Sequence, residues 1–211
     1  MQLQPTSYDI YLQKYALRNE ASELIDTDMD ATYHRVASTL ADGEQDSERW
    51  YREFRDTLEY ATPAGRIMSN AGAFAHKSDV SLINCLVSSY ISDSMNSILT
   101  VLREAGLSLK TGAGIGYEFS TLRPKGAFVG GAGATTSGPL SFMDVYDSLC
   151  KTISSAGGRR GAQMATFSIR HPDVMDFIRA KRERGRLEQF NLSVLISDEF
   201  IDAVKNNDMW H

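Results

Sequence analysis

From about residue 80 onward, short β-forming runs alternate with amphipathic helical segments, and this alternation narrows the fold more than any other feature. The runs fall at 83–88, 114–119, 165–170 and 190–195, each separated from the next by enough residues for a helix. Parallel strands cannot be joined by a tight turn and need a crossover of about a dozen residues or more. The spacing therefore predicts an α/β fold of parallel strands with helical crossovers. The intervening segments agree. Met95, Ile98, Leu99, Leu102 and Leu109 form an apolar stripe behind a cap at Asp93 or Ser94, and Phe142, Val145, Tyr146, Leu149 and Ile153 form another. His171-Pro172-Asp173 opens a third helix with proline in its first turn, and Ser197-Asp198-Glu199 opens a fourth.

The preceding region has a different character. Tyr8, Leu12 and Tyr15, then Trp50, Phe54 and Leu58, step by three or four residues and predict helix packing faces. Between them, Asp26, Asp28 and Asp30 read as a solvated connection rather than a metal site, because the stretch lacks the glycine and final glutamate of a calcium loop. Pro63 closes this region, so the chain is expected to divide into a helical part over 1–62 and an α/β part over 63–211. The last residues, 206–211, are turn-like where a βα pattern would next supply a strand. A parallel sheet stopping there would have an unpaired apolar edge, so the expected sheet or barrel is incomplete and is completed by other sequence.

Several function classes are disfavoured. The 22 Lys and Arg against 27 Asp and Glu give a net charge of −5, which argues against a general affinity for nucleic acid. No apolar stretch has the length of a membrane span, and the N-terminus lacks the basic start and apolar run of a signal peptide; the expected location is the cytoplasm. Cys85 and Cys150 form no CxxC pair, and His34, His76, His171 and His211 form no ligand spacing, so no metal site is assigned.

Glycine marks where chemistry could sit. Twelve of the 16 glycines lie within 106–161, in Gly112-Ala113-Gly114-Ile115-Gly116, in the stretch 126–138, and in Gly157-Gly158-Arg159-Arg160-Gly161. Such loops bring backbone N–H groups close to phosphate, but equally serve as tight turns, and neither a GxGxxG fingerprint nor a Walker lysine is present. Arg123 and Lys125 before the second stretch, and Arg159 and Arg160 inside the third, favour phosphate, since a guanidinium can take it bidentately. The residues alone leave both readings open. Cys85, in an apolar strand, reads by itself as core filler, and Cys150, one turn past Tyr146 on an apolar helix face, reads as packing.

The ordered set Pro63-Ala64-Gly65-Arg66-Ile67-Met68-Ser69, Ile83-Asn84-Cys85, Asp93-Ser94-Met95, Gly112-Ala113-Gly114-Ile115-Gly116-Tyr117, Leu122-Arg123-Pro124-Lys125-Gly126, Ser137-Gly138-Pro139, Ala156-Gly157-Gly158-Arg159-Arg160-Gly161-Ala162-Gln163-Met164, His171-Pro172-Asp173 and Phe190-Asn191-Leu192-Ser193-Val194 resembles ribonucleotide reductase. The version with GGRRGAQM and FNLSV is most similar to the adenosylcobalamin-dependent, class II, type; the class I catalytic subunit is second. The resemblance covers nearly all of this chain but only the N-terminal part of the family's catalytic chain.

That resemblance implies a ten-stranded α/β barrel, incomplete here, in which a thiyl radical activates the ribose and a cysteine pair delivers two electrons to remove the 2′-hydroxyl. Cys85 matches the first cysteine of the pair. Gly65, Asn84 and Gly114 would border the ribonucleotide substrate, with Arg160 in a loop communicating with it. Asp93, Ser94 and Arg123 would hold a deoxynucleoside triphosphate effector, with a homodimer formed through the helix after Asp93. A thioredoxin-like reductant and adenosylcobalamin complete the implied partners. The partner cysteine, the thiyl cysteine and the carboxylate belong to the family's C-terminal half and match nothing in this chain, so a C-terminal complement is expected to be needed for activity. Some relatives carry a hydroxyl side chain at the position of Gly65, so a contact there would be through backbone only. The alternatives are a non-catalytic nucleotide-binding regulatory module, a class I catalytic-subunit fragment, and an unrelated α/β phosphate-binding enzyme; retention of Cys85 argues against the first.

Overall fold

A computed structural model describes residues 4–77, 80–153 and 161–210. These residues divide into two compact units, one ending at Asn84 and the other starting at Cys85. None of the described helices is long and apolar enough to cross a membrane.

The first unit is helical: α1 (Pro5–Lys14), α2 (Met29–Ala41), α3 (Ser47–Thr57) and the short α4 (Gly65–Asn70). Pro5 starts α1, where its missing N–H costs nothing. Asp28 and Asp46 cap α2 and α3, accepting from the N–H groups of Ala31 (2.9 Å) and Arg49 (3.2 Å). The face of α1 that packs inward is set by Tyr11, buried, while Tyr8 lies outward, a shift by one step from the expected stripe. Val36, Ala37, Leu58, Met68 and Ala71 form the core, with Tyr15, Tyr33 and Phe54 packed against it. Because Met68 and Ala71 belong to this core and Asn70 Nδ2 donates to the Ser81 carbonyl at 2.8 Å, the compact unit extends beyond Pro63, where the sequence changes character.

The acidic stretch is not simply a solvated connection. Asp26 is only 2% exposed and accepts from the Leu17 N–H (3.1 Å), the Thr32 hydroxyl (2.7 Å) and the Arg35 guanidinium (2.6 Å from Nη2). Arg35 also donates to the carbonyls of Met68 and Ala71, tying α2 to α4. Asp28 caps, and Asp30 pairs with His34 and Arg55. The reason lies in folding rather than composition: a carboxylate can be buried where a guanidinium and two further donors satisfy it.

The second unit carries the predicted parallel sheet, in the order β1 (Cys85–Val87), β2 (Gly114–Glu118), β5 (Gln163–Ser168), β6 (Phe190–Leu195), every pairing parallel. Helices α5 (Met95–Lys110), α6 (Pro139–Thr152), α7 (Val174–Arg179) and α8 (Asp198–Asn206) follow β1, the hairpin, β5 and β6 respectively. The antiparallel hairpin β3 (Phe128–Val129) and β4 (Ala134–Thr135), within the second glycine stretch, was not legible because each strand has only two residues. Alternate residues of β2, Ile115 and Tyr117, and of β5, Gln163, Ala165 and Phe167, face one core with Ile98, Val101, Ala105 and Leu109 of α5 and Met143 and Tyr146 of α6. Met95 and Leu99, expected in the α5 stripe, are exposed at 57% and 52%, and Val145 of α6 is exposed too.

Burial alone would push the Asp26 carboxyl up, but the donors from Arg35, Thr32 and Leu17 outweigh it and hold it below the usual aspartate value. A depressed native value means stability that is present above the unfolded value near pH 3.9 and is lost as pH falls through the folded value. Thermal melts followed by circular dichroism should therefore show the melting temperature falling as pH is lowered below about 4. Asp26→Asn should flatten part of that acid limb and cost roughly 3 to 5 kcal/mol at neutral pH, because Arg35 loses its buried counter-charge. An unchanged acid limb in the variant would show that Asp26 does not drive the effect.

Candidate functional site

The start of β1 places Cys85 beside Gly114, the first residue of β2: their Cα atoms are partners in the parallel register. Strands paired this way lie about 4.8 Å apart. Gly114 presents no side chain, so the backbone next to the sulfur stays approachable. Cys85 is a free thiol and exposed, which overturns its reading as core filler; its strand is too short and too near the sheet edge to bury it. Asn84 immediately precedes it, and the Asn84 Oδ1 atom is shielded from solvent with no hydrogen-bond partner among the described residues. Cys150 behaves as expected of a packing residue. It is 3% exposed, and burial followed by the nearby Asp147 charge pushes its thiol pKa up, which suppresses thiolate chemistry. Gly161 is required next to it: a Cβ there would come within 2.5 Å of Cys150 Sγ.

A second group assembles at the N-terminus of α5. Ser94 caps the helix, accepting from the Ser97 N–H at 3.2 Å. Asp93, one residue earlier, receives the Arg123 Nε–H at 2.6 Å and the Arg123 backbone N–H at 3.3 Å, while Arg123 Nη1 donates to the Phe128 carbonyl at 2.9 Å. Asp93, Ser94 and Arg123, far apart in sequence, are thus one cluster at the root of the β3–β4 hairpin. The pair is partly open to solvent, 35% for Arg123 and 36% for Asp93, so it is exchangeable rather than locked. Lys125 is directed elsewhere. It lines a polar cleft of about 320 Å³ with Ser137, Ser141, Asp173 and Arg179, and its backbone N–H donates to Asp173 at 2.8 Å. Gly138, at φ +87° and with space for its Cβ only 2.8 Å from Lys125 Cβ, permits that close crossing.

His171 positions the Arg123 loop, a role its place in the sequence did not reveal. Its Nε2 lies 2.8 Å from the Leu122 carbonyl, which can only accept, and its Nδ1 accepts the Asp173 N–H at 3.0 Å. Those partners require the neutral tautomer with the proton on Nε2. The imidazole is buried and edge-on to Phe167, so the loop after Leu122 is pinned to the sheet.

Gly65 starts α4 in the helical unit, where Tyr15 covers it, and with Tyr11, Met29 and Met68 it lines an apolar cleft of about 320 Å³. Arg160, with Gly157, Gly158 and Arg159, lies outside the described residues.

Comparison with known proteins bears on the whole chain. Residues 1–73 match the model described as ribonucleotide reductase, all-alpha domain, and residues 83–211 the model described as ribonucleotide reductase, barrel domain. A vitamin B12-dependent ribonucleoside-diphosphate reductase of Mycobacterium tuberculosis is 41% identical over 165 residues, covering 76% of this chain and 23% of that protein. Its counterpart from Thermoplasma acidophilum is 40% identical over 119 residues, 56% of this chain and 16% of the relative. The ribonucleoside-diphosphate reductase subunit alpha of Helicobacter pylori is 29% identical over 214 residues, 97% of this chain and 26% of the relative. This chain therefore spans about a quarter or less of the length of these relatives.

The two thiols should separate chemically. Exposed Cys85 should be alkylated by iodoacetamide in the native protein, whereas Cys150 should react only on unfolding, as read by peptide mass spectrometry. Equal native reactivity would contradict the burial of Cys150.

Proposed function

The chain belongs to the ribonucleotide reductase family, and from that premise we propose that it supplies the reducing thiol and the effector cluster of a vitamin B12-dependent enzyme that converts ribonucleotides to deoxyribonucleotides. The observation that carries this reading is the exposed Cys85 at the mouth of β1, in register with side-chain-free Gly114. A sugar laid against that glycine has the sulfur one strand away, and chemistry with a short-lived radical depends on such prior alignment. Cys85 acts as one member of a dithiol. As the 2′-hydroxyl leaves as water, the dithiol gives up two electrons and two protons and closes to a disulfide, which a thioredoxin-like reductant reopens. The second cysteine, the thiyl cysteine and the acid come from a C-terminal complement.

Asn84 and Gly114 border the substrate, and Arg160 communicates with it. Asp93, Ser94 and Arg123 receive a deoxynucleoside triphosphate. Arg123 can exchange Asp93 for a phosphate because the pair is half-open, and Asp93 is then released to the sugar hydroxyls. The exposed Met95 and Leu99 on α5 form the face for a homodimer. Cobalamin, when bound, supplies the radical. The two clefts of about 320 Å³ described above are too small to enclose a corrin, so the residues that line them do not fit its site. The two reduced cysteines and the lack of a membrane-spanning helix among the described residues suit a cytoplasmic enzyme.

Two measurements test the reading. In the complex of this chain with its C-terminal complement, adenosylcobalamin and a dithiol, deoxynucleotide formation should appear, and Cys85→Ser should abolish turnover while nucleotide affinity stays within about twofold. Turnover by this chain alone, or by the Cys85→Ser complex, would overturn the assignment. Arg123→Ala should weaken dATP binding by roughly 1.5 to 3 kcal/mol, about tenfold to more than a hundredfold, with substrate affinity little changed. The reverse pattern would move Arg123 to the active site.

A further inference from the structure

Arg123 sits inside a four-residue stretch whose two ends are held by one short segment after β5. The His171 imidazole donates from Nε2 to the Leu122 carbonyl at 2.8 Å, and the Asp173 carboxylate accepts the Lys125 backbone N–H at 2.8 Å. Pro172 separates the two anchors, and Pro124 follows Arg123 in the stretch they hold. A proline fixes its own φ and confines the residue before it to extended conformations, so Arg123 and His171 both have little backbone freedom. The imidazole is itself fixed: it is buried, lies edge-on to Phe167 with ring centres 4.6 Å apart, and takes the Asp173 N–H at 3.0 Å. Phe167 in turn is fully buried and stacked on Phe177 of α7. The contacts of Arg123 itself divide in two. Its Nε–H and backbone N–H go to Asp93 and its Nη1 to the Phe128 carbonyl, while Nη2 has no partner among the described residues. Exchanging Asp93 for a phosphate removes both of the first two contacts. The hold from His171 and Asp173 does not involve Asp93 and survives the exchange.

We propose that His171 and Asp173 are positioning residues for effector binding: by clamping Leu122 and Lys125 to the end of β5, they keep Arg123 in its phosphate-binding place once Asp93 has let go. This deepens, and rests on, the reading that Arg123 receives a deoxynucleoside triphosphate. The two side chains act through Arg123 rather than by touching the ligand. What they contribute is preorganisation, since a guanidinium already in place loses less conformational freedom on binding than one carried by a loose loop. Without the clamp the Leu122 carbonyl and the Lys125 N–H have no strand to return to, because β2 ends at Glu118 and the hairpin begins at Phe128.

The test uses the complex of this chain with its C-terminal complement and dATP as the effector probe. His171→Leu and Asp173→Ala, each removing one end of the clamp, should weaken dATP by roughly five- to tenfold for one lost hydrogen bond. Asp173→Asn keeps an acceptor for the Lys125 N–H and should recover dATP affinity to within about twofold. In an Arg123→Ala background the same two clamp substitutions should cost nothing further, because a positioning residue then has nothing left to position. A further loss in that background as large as in the unsubstituted complex assigns the clamp to the fold and overturns the proposal. So does normal dATP affinity in either clamp variant, or an Asp173→Asn complex that binds as weakly as Asp173→Ala. Arg123→Ala separates the two readings: if it weakens dATP while the clamp variants bind normally, the effector site stands and the clamp alone is removed. If Arg123→Ala binds dATP normally, or the unsubstituted complex does not bind it, both readings fall. Should His171→Leu fail to fold, the Asp173 variants decide the matter by themselves.

Discussion

One buried amide organises the α/β unit. Gln163, the first residue of β5 and 1% exposed, accepts from the Tyr117 hydroxyl at 2.9 Å and donates to the Tyr146 carbonyl at 3.1 Å. Tyr146 in turn donates its hydroxyl to the Ile98 carbonyl at 2.7 Å. Four elements, β2, β5, α6 and α5, are thereby joined through groups that have no water to fall back on. Burial pushes both phenol pKa values well above the usual range, keeping them neutral donors. A buried polar chain of this kind is stable only when every member is satisfied, so it permits a single arrangement of the sheet against its helices. The register of β2 then follows, and with it the placement of Gly114 beside Cys85.

The two ion pairs that matter differ in what burial allows them to do. Asp26 and Arg35 are removed from water and satisfied on all sides, so breaking the pair leaves an uncompensated charge, and the contact is architectural. Asp93 and Arg123 have the same chemistry at the same separation but remain about one-third exposed. Solvent screens them, and exchanging one partner for a phosphate costs little. A pair poised this way holds the loop near its binding geometry in the absence of ligand while leaving the guanidinium available. The same distinction separates the two cysteines: enclosed Cys150 serves the fold, and exposed Cys85 is free for chemistry.

Much of this could be read from the chain because it rests on local rules. Short β-forming runs marked the four strands of the parallel sheet, Ser94 and Ser197 announced helices by their capping chemistry, and motif order carried the family. Cys150 sat on a helical stripe that could only face inward. What stayed illegible was non-local. Tyr11 rather than Tyr8 is the inward residue of α1, because Asp28 and Thr32, brought in by α2, offer its hydroxyl partners. Met95 and Leu99 share the apolarity of Ile98, but only Ile98, Val101, Ala105 and Leu109 of α5 join the core.

Strand and helix periodicity, the capping residues and the motif series were set by the sequence itself, since each depends on neighbours within a few positions. The burial of Asp26, the joining of Asp93 to Arg123, the pinning of the loop by His171 and the seating of Tyr15 on Gly65 were decided by the tertiary structure. Each brings together groups that are separated along the chain by more than a helical turn, and whether such groups meet depends on how whole elements pack, where a shift of one ångström makes or breaks a hydrogen bond.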